Sequence, residues 1–197
     1  MTSGFRRFLP NFDQLIHTPY QAVINRLLEG VDFAHASVLE LGCGTGMNSV
    51  NLLNDHSFGK ATLVDFSQQA LETAKANAKH HNVDLICSDI FSLDLRERFD
   101  LVLSIGLIEH FTGERRSEAI RVHRKFARND GLIMIMVPRK GVLSRVTGLV
   151  NHVQGYREYP FSDTEIEWLF QRNKLKVIKK DYLFLRVVSC YLLRCEQ

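Results

Sequence analysis

Three glycines stand within five positions in the segment LELGCGTGM, residues 39–47, directly after a short apolar run. Glycines so placed leave bare backbone, and the apolar periodicity that follows them predicts a helix with free N–H groups at its start. A turn of this kind binds a phosphate or lies closely against a nucleoside. The chemistry indicated is therefore the binding of a nucleotide-like ligand.

The spacing of these glycines narrows the choice of ligand. The dinucleotide-binding pattern needs a third glycine three positions after the second. Here the order is Gly42, Gly44, Gly46, and Met47 occupies the place where that third glycine would stand. A carboxylate, Glu40, precedes the turn by two residues. The turn is therefore glycine-rich without being the dinucleotide fingerprint.

A second carboxylate, Asp65, ends the next apolar run. An acid at the end of the second strand accepts hydrogen bonds from the hydroxyls of a ribose. The alternative role, capping the helix that follows, is better suited to Ser67. We therefore predict that Asp65 binds a ribose.

The elements that must position these residues alternate between apolar runs and helical periodicity, which predicts a parallel sheet covered by helices on both faces. The last two strands are so close in sequence that they must form an antiparallel hairpin. Ligands on such a sheet bind at the carboxyl ends of the strands. The predicted strands are 37–41, 61–65, 83–88, 99–104, 132–137, 175–182 and 186–194, and the predicted helices are 47–54, 67–80 and 114–128.

Four motifs in this order resemble the class I S-adenosylmethionine-dependent methyltransferases: VLELGCGTG, LVDFS, CSDIF and FDLVLSIGLIEHF. The likeness covers about residues 37–194. It implies an α/β, doubly wound, Rossmann-like fold with a mostly parallel sheet in the strand order 3-2-1-4-5-7-6 and a reversed C-terminal strand. It also implies that the small-molecule type of this family is the nearest in function, with S-adenosyl-L-methionine as the cofactor.

The resemblance also assigns roles to residues. Glu40 would reach the methionine end of the cofactor, and Asp65 would hold its ribose. Phe66, Asp89 and Ile90 would surround the adenine. Ser104 ends the predicted fourth strand, which the resemblance places, with the turn after it, beside the methyl donor. The cofactor-binding residues expected in this way are Glu40, Gly42, Gly44, Gly46, Asp65, Phe66, Asp89, Ile90 and Ser104.

No linker or internal repeat divides the chain, so we predict a single methyltransferase domain over residues 1–197. Its expected parts are an N-terminal helical cap, a cofactor-binding core, an insertion on the substrate side, and a last helix with the C-terminal hairpin. The cap and the insertion are expected to select the acceptor, with 142–153 as a short amphipathic lid. The four parts are 1–36, 37–137, 138–161 and 162–197.

The segment SIGLIEH after the fourth strand bears on the acceptor. It lacks the Asn/Asp-Pro-Pro-aromatic signature of amide and adenine methylation and the Pro-Cys of cytosine methylation. Gly106 stands where a metal-binding Glu-x-x-Glu-His pattern needs its first acid, so no metal is expected. His110 is the candidate base for an acceptor proton, and a purely structural role in the turn is the alternative.

Two other functions stay open. Six basic residues of the predicted helix 114–128 and three beyond it could follow an RNA backbone, although aromatic residues for base stacking are not interleaved with them. The chain could also be a cofactor-binding subunit without catalysis. The basic residues are Arg115, Arg116, Arg121, Arg124, Lys125, Arg128, Arg139, Lys140 and Arg145.

Composition is that of a globular protein, with 45% hydrophobic and 24% charged residues and a net charge of +3. The mild charge does not by itself indicate a nucleic-acid or membrane partner. The N-terminal segment lacks the apolar core of a signal peptide, and no apolar run reaches the roughly 18 residues of a membrane span. The four cysteines lack the spacing of a zinc site, so we expect them to be reduced thiols. These features predict a cytoplasmic protein.

Overall fold

The computed structural model describes residues 12–141 and 158–196, with side chains from residue 19 onward. One seven-stranded sheet organises these residues, in the order β3-β2-β1-β4-β5-β7-β6. The strands are β1 (Ser37–Leu41), β2 (Lys60–Asp65), β3 (Val83–Cys87), β4 (Phe99–Ile105), β5 (Ala127–Pro138), β6 (Leu175–Leu183) and β7 (Val188–Cys195).

Helices connect these strands. They are α1 (Phe12–Leu28), α2 (Met47–Asp55), α3 (Gln68–Asn77), α4 (Glu114–Phe126) and α5 (Asp163–Arg172). Two short 3-10 helices, Ile90–Ser92 and Ile108–His110, follow β3 and β4. Local signals start two of the helices: the hydroxyl of Ser67 accepts from the Ala70 N–H, and that of Ser162 accepts from the Glu165 N–H.

Strand directions confirm the predicted topology. Strands β1 to β5 pair in parallel, whereas β7 lies antiparallel to both β5 and β6. Strand order reverses between β1 and β4, because β2 and β3 lie on one side of β1 and the later strands lie on the other. The crevice beside this reversal is where ligands bind on doubly wound sheets.

Two buried clusters cover the two faces of the sheet. Successive strand residues alternate between them, since side chains on a strand point to opposite faces. Val38 and Leu101 pack with residues of α1, α2 and α3, whereas Leu39 and Val102 pack with residues of α4 and α5. Strands covered on both faces read as nearly continuous apolar runs, which is why periodicity located them.

Boundaries differ from prediction at a few places. The helix predicted to run to residue 80 ends at Asn77, because Ala78 caps it by donating to the Ala74 carbonyl. The fifth strand begins at Ala127, earlier than predicted, because Ala127 is already extended and pairs with Phe99. The predicted lid at 142–153 lies outside the described residues.

Candidate functional site

The candidate site lies at the carboxyl ends of β1, β2 and β4. The turn of residues 42–46 leaves β1 and leads into α2, while Asp65 ends β2. Register pairs Leu41 with Val64, so the glycine turn and Asp65 begin at the same height of the sheet. The segment after β4 lies on the other side of this turn, where Leu107 contacts the Gly42 position.

The three glycines of the turn have different reasons to be glycine. A Cβ on Gly42 would lie 2.8 Å from Cδ1 of Leu107, and one on Gly46 would lie 2.9 Å from Cδ1 of Leu63. Gly44, with φ +53, has nothing within 4 Å of its Cβ position. Packing therefore requires Gly42 and Gly46, whereas Gly44 faces open space in which a ligand can approach the backbone.

Asp65 connects the turn to the start of α3. The backbone N–H of Gly44 donates to its Oδ2, and the N–H of Ser67 donates to its Oδ1, each over 2.9 Å. The residue is 8% exposed. A carboxylate oxygen has two lone pairs, so each oxygen retains the capacity to accept a further hydrogen bond. The two backbone bonds hold the acid in a fixed orientation toward the turn.

Phe66, beside Asp65, is 81% exposed, an unusual state for a phenylalanine. Its ring is thus accessible to a planar ligand. Asp89 is also exposed. Its Oδ1 accepts from the Phe91 N–H, so Oδ2 is the oxygen that can accept from a ligand. Ile90 is 6% exposed and belongs to the core on the α4 side. Asp65 pairs in register with Cys87, so Asp89 lies near the same edge of the sheet.

Glu40 is buried in β1 beneath the turn. The Ser49 hydroxyl donates to Oε2 over 2.6 Å, and the Asn48 amide donates to Oε1 over 3.1 Å. Burial raises the pKa of Glu40 to about 7, against the lowering effect of these hydrogen bonds. A positively charged group brought next to Glu40 would favour the ionised form and lower this pKa.

Ser104 is the predicted site residue whose side chain the structure directs elsewhere. It is fully buried, and its Oγ lies 2.8 Å from Nε2 of His123 on α4. The other ring nitrogen, Nδ1, lies 2.8 Å from the Ala119 carbonyl, which can only accept. Nδ1 therefore carries the proton and Ser104 donates to Nε2. Only the backbone of Ser104 is available at the crevice end of β4.

Glu109 and His110 follow Gly106 and Leu107 in the short helix after β4. His110 is exposed, whereas Glu109 is 2% exposed. The sequence pattern singled out His110 of this pair, yet Glu109 is the residue turned inward. Burial raises the pKa of the Glu109 carboxyl to about 8, and the nearby Glu158 adds to the effect. A glutamate after a glycine in an otherwise apolar segment was the available signal.

These residues fit the cofactor that the resemblance implies. Open space above Gly44 admits a ligand to the backbone, the Asp65 oxygens can accept from ribose hydroxyls, and Phe66 exposes an aromatic face for a purine. Within the described residues, no group of three or more His, Cys, Asp or Glu side chains is arranged to hold a metal ion.

The basic residues that suggested RNA are mostly engaged with protein. Arg116 is 6% exposed and paired with Glu165, and Arg128 pairs with Asp100. A cavity of about 830 Å³ lies beside α4, where β4 and β5 begin. It is therefore at the opposite end of the strands from the glycine turn. It is lined by Arg98, Glu118, Arg121, Val122, Arg124, Lys125, Ala127, Asn129, Cys195 and Glu196.

Comparison with known proteins agrees with this geometry. The methyltransferase-domain family matches residues 38–131. Malonyl-[acyl-carrier protein] O-methyltransferase of Priestia megaterium is 33% identical over 89 residues, which are 45% of this chain and 32% of that protein. Ubiquinone biosynthesis O-methyltransferase of Bradyrhizobium diazoefficiens is 36% identical over 77 residues, 37% of this chain and 29% of that protein. The matched region is thus about a third of the length of these relatives.

Among solved structures, magnesium protoporphyrin IX methyltransferase of Synechocystis with bound S-adenosylhomocysteine has the same fold, with a TM-score of 0.75 and 18% identity. The superposition covers 94% of this chain and 88% of that protein. In the described residues, none of the helices combines the length and apolar character that crossing a membrane requires.

Proposed function

We propose that the chain is a class I S-adenosylmethionine-dependent methyltransferase and that it transfers a methyl group from that cofactor to a small-molecule nucleophile. The observation that carries the proposal is the open Gly44 backbone hydrogen-bonded to Asp65. An exposed aromatic ring, Phe66, stands next to that acid. Backbone, acid and ring together match the outline of an adenosyl group.

Bound S-adenosylmethionine supplies a methyl group that its sulfonium already activates, so the protein has to bind, align and exclude water. Asp65 accepts from the ribose hydroxyls, and Phe66 and Ile90 lie against the adenine. Asp89 accepts from the adenine amino group. Glu40, ionised when a positive charge lies beside it, attracts the ammonium of the methionine part.

The glycine turn and β4 complete the proposed cofactor site. Gly44 lets the cofactor approach the backbone, while Gly42 and Gly46 permit the tight packing of the turn against Leu107 and Leu63. Ser104 contributes through its backbone, since its hydroxyl donates to a buried histidine. The segment that follows, residues 105–110, forms the wall facing the acceptor.

The acceptor is proposed to be a small molecule. The two relatives act on different acceptors, so likeness to them does not select one. RNA is disfavoured because Arg116, Arg128 and Arg139 are already paired with acids of this chain. For a hydroxyl acceptor, His110 is the proposed base, since a neutral imidazole can take the proton as the methyl arrives.

A cytoplasmic location belongs to the same proposal. All four cysteines are free thiols, of which Cys43 and Cys190 are buried. Free thiols are usual in a reducing compartment, where disulfides do not persist.

Two measurements test the proposal. Calorimetric titration should detect binding of S-adenosylmethionine and S-adenosylhomocysteine and little binding of NAD. Incubation with cofactor labelled in the methyl group should then transfer label into small molecules of a cell extract. Label in RNA would instead support the nucleic-acid alternative, and cofactor binding without transfer to any fraction would support a non-catalytic subunit. Tight binding of NAD would contradict the assignment.

A further inference from the structure

Glu109 has a buried carboxylate oxygen without a hydrogen-bond partner. The residue is 2% exposed, and its Oε2 accepts from no donor. Buried polar atoms are nearly always hydrogen-bonded, so an orphaned carboxylate oxygen in a native fold needs an explanation. Ligand binding is one explanation: a bound ligand with a hydrogen-bond donor would supply the partner that Oε2 lacks in the free protein.

The position of Glu109 ties it to the cofactor turn. Two residues earlier, Leu107 contacts the Gly42 position, so the segment carrying Glu109 packs directly on the turn after β1. The other carboxylate oxygen, Oε1, would be 3.4 Å from a Cβ on Gly106. The Glu109 carboxyl therefore lies next to Gly106 just after the carboxyl end of β4, in the segment that packs on the glycine turn.

The groups around Glu109 make this wall acidic. Glu158 lies close enough to raise the pKa of Glu109 further, and Tyr20 of α1 lies within electrostatic range of both acids. Burial and then the neighbouring Cys190 and these two glutamates raise the pKa of Tyr20 to about 12, so its phenol stays protonated and neutral. Arg26 of α1 lies within electrostatic range of the same Cys190, and its guanidinium pairs with Asp181.

One cation, Arg116 of α4, is near, but its guanidinium is engaged elsewhere. It pairs with Glu165, donates to the carbonyls of Phe111 and Tyr159, and stacks on Phe161 at 3.8 Å. Its effect on Glu109 is only to lower the pKa in part. In the described part of the chain, Glu109 has no ion-pair partner.

We propose that Glu109 binds the ammonium group of the acceptor, so that this enzyme methylates a cationic amine on nitrogen. The inference rests on the proposed function and names the substrate class of that same site. A carboxylate acceptor would be repelled by Glu109 and Glu158 together. A neutral hydroxyl could bond to Oε2 but would leave the buried, ionised Glu109 without a compensating charge.

The chemistry balances with the groups present. The ammonium transfers one proton to the Glu109 carboxylate, which becomes a neutral carboxyl, and the nitrogen regains its lone pair. That lone pair forms the N–C bond to the methyl carbon while the C–S electron pair stays with sulfur. The products are a methylated ammonium ion and S-adenosylhomocysteine. Glu109 then returns its proton to water, as a general base with a pKa near the working pH can do.

Binding of a model amine without cofactor tests the inference. Benzylamine, benzyl alcohol and benzoate share one ring and differ in charge, and each is titrated calorimetrically. We expect benzylamine to bind at least about tenfold tighter than benzyl alcohol, with benzoate the weakest. As the pH is raised toward 8, the affinity for benzylamine should increase about tenfold per pH unit, because binding a cation displaces the Glu109 proton. Buffers of different ionisation enthalpy should report that release.

Two variants complete the test. Glu109→Gln keeps the volume and should abolish the preference for benzylamine and the proton release, while its melting by circular dichroism stays cooperative. The control Glu118→Gln, which removes a surface acid of α4 paired with Arg115, should keep both. Equal affinities for amine and alcohol, absence of amine binding, or an unchanged preference in Glu109→Gln would each overturn the inference. Cofactor titration of the same samples separates this outcome from failure of the proposed function, which would abolish cofactor binding.

Discussion

The backbone N–H of Gly44 lies 2.9 Å from Oδ2 of Asp65, so the glycine turn after β1 and the acid that ends β2 form one hydrogen-bonded unit. The same carboxylate accepts from Ser67, which begins the next helix. An acid held by two backbone donors is already oriented when a ligand arrives, and a pre-oriented group loses little entropy on binding.

Asp65→Ala should weaken binding of S-adenosylmethionine by about 1.5–3 kcal/mol, through loss of charge-assisted hydrogen bonds to the ribose. Calorimetric titration measures the change. Asp32→Ala is a matched control, because Asp32 accepts from the Ala34 N–H over the same 2.9 Å but lies in a loop remote from the turn. Wild-type cofactor affinity in Asp65→Ala would remove the ribose assignment.

Gly44→Ala should greatly weaken cofactor binding, because the added methyl group occupies the open space above the turn. Left-handed backbone costs an alanine about 1–2 kcal/mol, and the control must include this cost. Gly30→Ala does so: Gly30 has φ +80 and open space at its Cβ position, after α1. Both variants should lose similar stability on thermal melting, and only Gly44→Ala should lose affinity. Equal cofactor affinity in Gly44→Ala and Gly30→Ala would show that the glycine turn has a structural role and does not contact the cofactor.

Glu109→Gln should stabilise the fold at alkaline pH. Burial raises the pKa of Glu109 from 4.5 to about 8, so the folded state holds this proton more tightly than the unfolded state. The wild type therefore loses stability as pH rises from about 4.5 through 8, by a few kcal/mol at most. Urea unfolding at pH 4 and pH 9 measures this loss. The variant should have a higher free energy of unfolding than the wild type at pH 9 and an equal one at pH 4. An equal difference at both values would contradict the buried, unpaired carboxyl.

His123 should destabilise the fold in acid. Burial lowers the pKa of His123 from 6.5 to about 4, so the unfolded state binds this proton more readily. Its contribution to stability is complete above pH 6.5 and is lost as pH falls toward 4. The double variant His123→Phe with Ser104→Ala removes the titration together with the hydroxyl that would lose its partner. Relative to the wild type, its unfolding free energy should improve as pH falls across this range.

Turnover should separate the two candidate proton acceptors. An amine bound by Glu109 gives its proton to that carboxyl, so Glu109→Gln should lose about 10²–10⁴-fold in kcat while His110→Ala loses less than about threefold. The pH–rate profile of His110→Ala should match that of the wild type. The reverse pattern, with the large loss in His110→Ala, would indicate a hydroxyl acceptor and make the exposed histidine the base.

The sequence by itself determined the order of elements and the location of the turn. Strand β1 has the predicted bounds, residues 37–41, because an apolar run stopped by glycine is a local signal. The antiparallel hairpin followed from the short gap before β7. The Asp65 motif and the glycine spacing were equally local, since both depend on residues adjacent in the chain.

Only the tertiary structure decided which side chains face the crevice and which are already paired. Three glycines look alike in sequence, yet only Gly44 has open space, because Leu107 and Leu63 arrive from other parts of the chain. Ser104 ends a predicted strand, but its hydroxyl is taken by His123 of a later helix. Glu109 acquires its raised pKa from burial and from Glu158, 49 residues further along the chain. Burial and long-range partners depend on how distant segments pack, and no local pattern encodes them.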